Sequence, residues 1–87
     1  NDEELFRNIL QLSIVNLDEI NYLYIIDFII QNRDFPSNKY TINYQDRDGN
    51  SALHYCAIYN RIEATKLLLK ANININLKNR LGHTALD

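Results

Sequence analysis

The sequence predicts an all-α solenoid, a partial array of helix–turn–helix units joined by finger loops. Three observations carry this. The segment Asp46-Arg47-Asp48-Gly49-Asn50-Ser51-Ala52-Leu53-His54 is echoed by Asn79-Arg80-Leu81-Gly82-His83-Thr84-Ala85-Leu86-Asp87, an offset of 33 residues. The only two glycines of the chain, Gly49 and Gly82, fall at equivalent places. Each stands two residues before a Ser or Thr, as expected of a turn needing positive φ followed by a helix N-cap. The apolar residues around these echoes recur at helical spacing. A fixed period of this length marks stacked units that share a continuous core.

From the N-terminus, Leu5, Phe6, Ile9, Leu10, Leu12 and Ile14 are apolar at mostly helical spacing and predict a first helix. Asp2, Glu3 and Glu4 precede it and suit its dipole. Leu23, Ile25, Ile26, Phe28, Ile29 and Ile30 predict a second helix ending near Asn32. Arg33 to Gln45 holds the only proline, Pro36, among short polar residues. It reads as an elongated surface finger. Ser51 caps a short helix through about Tyr59, with Leu53, Ala57 and Ile58 at helical spacing. Small Ala52, Cys56 and Ala57 let neighbouring helices approach. Asn60-Arg61 makes a turn. A further helix runs from about Ile62 to Lys70, with Ile62, Ala64, Leu67, Leu68 and Leu69 facing the core, and Asn72 ends the unit. The units are 1–45 (degenerate, with the long finger), 46–78 (regular) and 79–87 (the start of a third). Leu53 to Leu67 spans 14 residues but Leu10 to Phe28 spans 18, so the first unit carries four extra between its helices.

Ser51-Ala52-Leu53-His54-Tyr55-Cys56-Ala57 resembles the Thr-Pro-Leu-His-x-Ala-Ala of ankyrin repeats, and 33 residues is the ankyrin period. Two glycines usual after the helices are replaced by Asn60 and Asn72. Asparagine is the residue that best tolerates the left-handed region after glycine. The usual proline is replaced by Ala52 and Ala85, which a first helical turn accepts. The resemblance implies a structural His54, hydrogen-bonded near the helix cap and tying adjacent units. It also makes Cys56 a buried small hydrophobe. His83, in a finger, is expected to be exposed.

The 87 residues suffice for one small domain. A net charge of -2 gives no basic footprint for nucleic acid. One cysteine excludes an internal disulfide or a multi-cysteine zinc site within these residues. The apolar runs are broken by Asp27 and Gln31, so no direct membrane insertion is expected. The chain begins at Asn1 and ends just after a helix start, and reads as a piece of a longer protein. No nucleophile motif or phosphate loop is present, so no catalytic, metal or cofactor residue is assigned. Glu63 and Lys66 are read as a solvated pair. Ankyrin repeats bind through finger tips and the exposed face of the first helix. The positions matching those surfaces are Arg47, Asp48, Asn50, Ile58, Tyr59, Arg80, Leu81 and His83. Ile58 and Tyr59 are apolar where a unit needs no core residue, and they meet either a partner or a neighbouring unit or domain.

Tyr24-Ile25-Ile26-Asp27-Phe28-Ile29-Ile30-Gln31-Asn32, Asp48 to Ala57 as quoted, and Lys66-Leu67-Leu68-Leu69-Lys70 resemble the ankyrin region of multidomain Arf GTPase-activating proteins. The likeness covers roughly Leu10 to Asp87. The insertion around Asp34 to Tyr40 departs from it, as does Gln11 where a histidine is usual. In that family a pleckstrin-homology domain and a zinc-finger GAP domain come first. The resemblance therefore implies that zinc and the arginine finger belong to an upstream domain, and that a small Arf-type GTPase is a partner through the parent. It implies a cytoplasmic location with membrane recruitment by other domains. Leu5, Phe6 and Ile9 are the inter-domain contact candidates. The alternative is an ankyrin scaffold or inhibitor with no GAP domain.

Overall fold

The computed structural model describes residues 7–31 and 38–87, the side chains of 38–40 excepted. Asp2 to Phe6 and Pro36 lie outside the described residues, including the inter-domain candidates Leu5 and Phe6.

Among the described residues five helices follow in order: α1 (Ile9–Asn16), α2 (Glu19–Gln31), α3 (Asn38–Asn43), α4 (Ala52–Ile58) and α5 (Ile62–Lys70). No strand occurs among the described residues. Short connections fold α1 back on α2 and α4 back on α5, giving two helical hairpins. The hairpins stack, α1 against α4 and α2 against α5. The core lies between these two layers. Leu10, Ile14, Ile26 and Leu68 are fully enclosed there, each contributing about 1.5–3 kcal/mol by leaving water.

Local chemistry sets each helix start. Asn8 Oδ1 accepts from Gln11 N–H at 3.0 Å, and Gln11 Oε1 accepts from Asn8 N–H at 3.1 Å. This reciprocal capping box satisfies two of the free amides at the head of α1. Asp18 Oδ1 accepts from Asn21 N–H at 3.1 Å at the head of α2. Ser51 caps α4 in the same way, with His54 as its reciprocal partner. Glu63 in the first turn of α5 and Lys70 in the last both suit its dipole. The helices end as the asparagines require: Asn60 has φ 56° and Asn72 has φ 61°. Arg61 Nε donates to Ile14 O at 3.2 Å, which satisfies a carbonyl in the last turn of α1.

Three sequence expectations are corrected. The Arg33–Gln45 segment is not wholly a surface finger. Its second half is α3, whose Ile42 is buried in the common core. Asn43 Oδ1 then accepts from Asn74 N–H at 2.8 Å, fixing α3 to the following unit. Ile62 and Leu69 do not fill the core of their own unit; they are 59% and 49% exposed. They stand on the end face of α5, where a further unit would stack. The apolar spacing of Ala57 and Phe28 does not place them in the core either, and both are exposed.

Candidate protein-interaction surface

The two fingers are built by the same device. Asp46 Oδ1 accepts from the N–H groups of Asp48 and Asn50, both at 3.0 Å. Asn79 Oδ1 accepts from those of Leu81 and His83, at 3.0 and 3.1 Å. In each finger the glycine N–H closes the turn on the carbonyl of that residue, Gly49 on Asp46 and Gly82 on Asn79, both at 2.9 Å. A short polar side chain three residues before glycine therefore folds the backbone around itself. The glycines are needed for their positive φ, 77° at Gly49 and 80° at Gly82.

The fingers are joined side by side. Arg80 N–H donates to Asp48 O at 2.9 Å, and Asn79 Nδ2 donates to Asn50 Oδ1 at 3.1 Å. Gln45 Nε2 reaches Gly49 O at 3.0 Å and Lys78 O at 2.8 Å. His54, buried in α4, links α4 to the second finger. Its Nδ1 accepts from Ser51 N–H at 3.0 Å, and its Nε2 meets His83 O at 2.9 Å. An amide N–H can only donate and a carbonyl can only accept, so the imidazole proton sits on Nε2. This histidine positions backbone, as the ankyrin resemblance implied.

Beneath the first finger, Tyr55 O–H donates to Asp46 Oδ2, and Arg7 Nε donates to Tyr55 Oη at 3.1 Å. The Arg7 guanidinium also lies 4.9 Å from the centre of the Tyr55 ring. Burial pushes the Tyr55 phenol above its ordinary value, and the Asp46 hydrogen bond adds to this. Burial likewise raises the Cys56 thiol to about 11, leaving it a protonated, unreactive hydrophobe at neutral pH.

On this frame the proposed contact residues divide. Asp48, Asn50 and Arg80 are brought together by the finger-to-finger bonds. Arg47, Arg80, Leu81 and His83 are exposed on the fingers, and Asp48 and Asn50 are half-buried. Ile58 is 63% exposed and lines one groove with His83, Asn79 and Asp87. Tyr59 is the C-cap residue of α4. There it shares Arg61 with Tyr22, the guanidinium lying 5.8 and 5.1 Å from the two ring centres. Ile9 is 60% exposed on α1.

Sequence reasoning missed Asp46, Asn79, Gln45, Tyr55 and Arg7, which hold the surface in place. Asp46 and Asn79 could have been found, since both precede a glycine by three residues at the 33-residue offset. Arg7 and Tyr55, 48 residues apart, leave no such local trace.

Stacked helical hairpins, paired fingers and a bridging histidine define a helical-repeat interaction domain. The match to "Ankyrin repeats (3 copies)" covers residues 5–87, and the chain belongs to that family. Over 62 residues, 71% of the chain, it is 39% identical to neurogenic locus notch homolog protein 1 of Homo sapiens and of Mus musculus. Over 45 residues, 52% of the chain, it is 49% identical to a transient receptor potential cation channel subfamily A member 1 homolog of Caenorhabditis elegans. It spans 2% of the length of the notch proteins and 4% of the channel homolog.

Proposed function

We propose that this chain is a protein-interaction segment that grips a protein partner across its two fingers and the adjoining face of α4. One observation carries the reading. The finger backbones are immobilised by Asp46 and Asn79 and tied to one another, while Arg80, Leu81 and His83 project outward. A preorganised backbone presenting varied side chains lowers the ordering cost of association. The test uses the parent protein. Replacing Arg80, Leu81 and His83 together by alanine is expected to abolish recovery of the bound partner without changing the melting temperature. Undiminished recovery would overturn the finger-face assignment.

For the parent, the proposed reading is an Arf-directed GTPase-activating protein in which this segment packs beside an upstream GAP domain. Its support is the sequence resemblance over Tyr24–Asn32, Asp48–Ala57 and Lys66–Lys70. Zinc would belong to the upstream domain. Among the described residues no group of three or more His, Cys, Asp or Glu could hold a metal. Exposed Ile9, with Leu5 and Phe6, is the proposed inter-domain contact. A cytoplasmic location, with recruitment to membranes through other domains, goes with this reading. No helix among the described residues is long and apolar enough to cross a membrane. The second reading is an ankyrin scaffold or inhibitor without a GAP domain. The membership in the ankyrin-repeat family supports it as an interaction module. Measuring GTP hydrolysis by Arf with the parent, with and without this segment, separates the two. Stimulation supports the first, and none at any concentration supports the second.

A further inference from the structure

Helix α2 turns Tyr22, Ile26 and Ile29 into the core, yet its opposite side is not polar. Ile20, Tyr24 and Phe28 are 80%, 67% and 59% exposed. They recur every four residues and so share one face. Tyr24, Phe28, Asp27 and Gln31 line one shallow depression on it. Asp27 has no hydrogen-bonding or ionic partner among the described residues. The exposed acid of α5 differs, since Glu63 is paired with Lys66 at 3.4 Å. From Asn8 to Gln31 the chain holds three acids, Asp18, Glu19 and Asp27, and no Lys, Arg or His.

We propose that this face of α2 docks a basic amphipathic segment of a protein partner, seating an Arg or Lys head between Tyr24 and Phe28 against Asp27. The ring faces carry negative potential and attract a cation. The carboxylate completes the charge match, and a guanidinium can stack on a ring while hydrogen-bonding it. The aliphatic stem of such a residue would cover Ile20. A second copy of this chain is a poorer occupant, because a two-fold contact through this face would oppose acidic surface to acidic surface. The site rests on the reading of the chain as an interaction module, but it uses a different face from the fingers.

The probe is a synthetic amphipathic Leu/Arg helix, titrated beside a Leu/Glu counterpart into the parent protein carrying 15N label in this segment. Amide shifts are expected to centre on residues 20–31 with the Leu/Arg peptide and to be absent with Leu/Glu. Asp27→Asn is expected to weaken binding about fivefold, and Tyr24→Ala or Phe28→Ala about tenfold. Arg80→Ala should leave it unchanged. All three α2 positions are exposed, so melting temperatures should match wild type. If one does not, Tyr24→Leu removes the ring and keeps the bulk. Shifts centred on the fingers or on the end face of α5 would overturn the proposal, as would indifference to Asp27→Asn. So would concentration-dependent shifts at residues 20–31 without peptide, which would indicate self-association. Loss of partner recovery in the finger variant, with α2 binding absent, would sink this proposal and leave the finger face standing.

Discussion

Gln11 and His54 do the same work in successive units with different chemistry. Each is the reciprocal partner in a capping box, and each sends its distal nitrogen to the backbone of the next finger. Gln11 Nε2 reaches Asn50 O at 2.8 Å, and His54 Nε2 reaches His83 O at 2.9 Å. The amide of Gln11 has a second proton, which goes to Tyr44 O at 3.1 Å. An imidazole with one N–H could satisfy only one of these carbonyls. The longer connection of the first unit, which brings Tyr44 alongside, is thus matched by a donor with greater capacity.

Gln11→Leu should therefore destabilise the chain by about 2–4 kcal/mol, since it strands two carbonyls and breaks the cap. Gln11→His should cost less, because one link and the cap survive. Urea unfolding of both variants checks the order. Equal losses would show that the cap and the Asn50 link, which histidine keeps, contribute nothing beyond the Tyr44 contact.

The two glycines should differ although both have positive φ. A Cβ at Gly49 would lie 2.9 Å from Arg80 N and from Asn79 Cα, while at Gly82 nothing lies within 4 Å. Gly82→Ala is expected to cost about 1 kcal/mol for the backbone alone. Gly49→Ala should cost more, and should also disturb the amide signals of Asn79 and Arg80. Equal costs would mean the second finger yields freely.

Alkaline pH should loosen the first finger. The Tyr55 phenol is raised by burial and by its bond to Asp46. Its stabilisation is thus intact below the unfolded value of about 10 and lost as pH rises through the folded one. Tyr55→Phe should lower stability at pH 7, where Asp46 loses its donor, and flatten the decline above pH 10. A variant that declines as steeply as wild type would place the alkaline sensitivity elsewhere.

The end face of α5 should tolerate polar residues. Ile62→Ser and Leu69→Ser are expected to change stability by no more than about 0.5 kcal/mol. Leu68→Ala, at a fully enclosed position, should cost about 2–5 kcal/mol. The chain alone should melt at low temperature or self-associate through this face, and Leu69→Ser should reduce association. A cooperative, high-temperature melt of a monomer would refute this.

Much of the architecture was legible because it is written locally. The 33-residue echo, the Ser51 cap and the left-handed asparagines Asn60 and Asn72 each depend on a few neighbouring residues. The rest depends on contacts between units. Apolar periodicity marks Leu68 and Leu69 alike and cannot tell a unit's own core from the face meant for its neighbour. α3 was hidden because Ile42 is a single apolar anchor among polar residues. Of the contact surface, the exposed residues could be named from the ankyrin resemblance. Arg7, which holds Tyr55 and so the finger still, acts across 48 residues. The acid–aromatic face of α2 was passed over because its residues lay within an apolar pattern already read as core.

The bond from Arg80 N–H to Asp48 O runs in one direction: the later finger braces the earlier one. A Cβ at Gly49 would meet the second finger, while one at Gly82 would meet nothing within 4 Å. During synthesis, which releases the N-terminal end first, each finger stays provisional until the next has emerged. The final finger of such an array has no brace from behind. It should be the first to exchange its amide protons and the first to peel away under load.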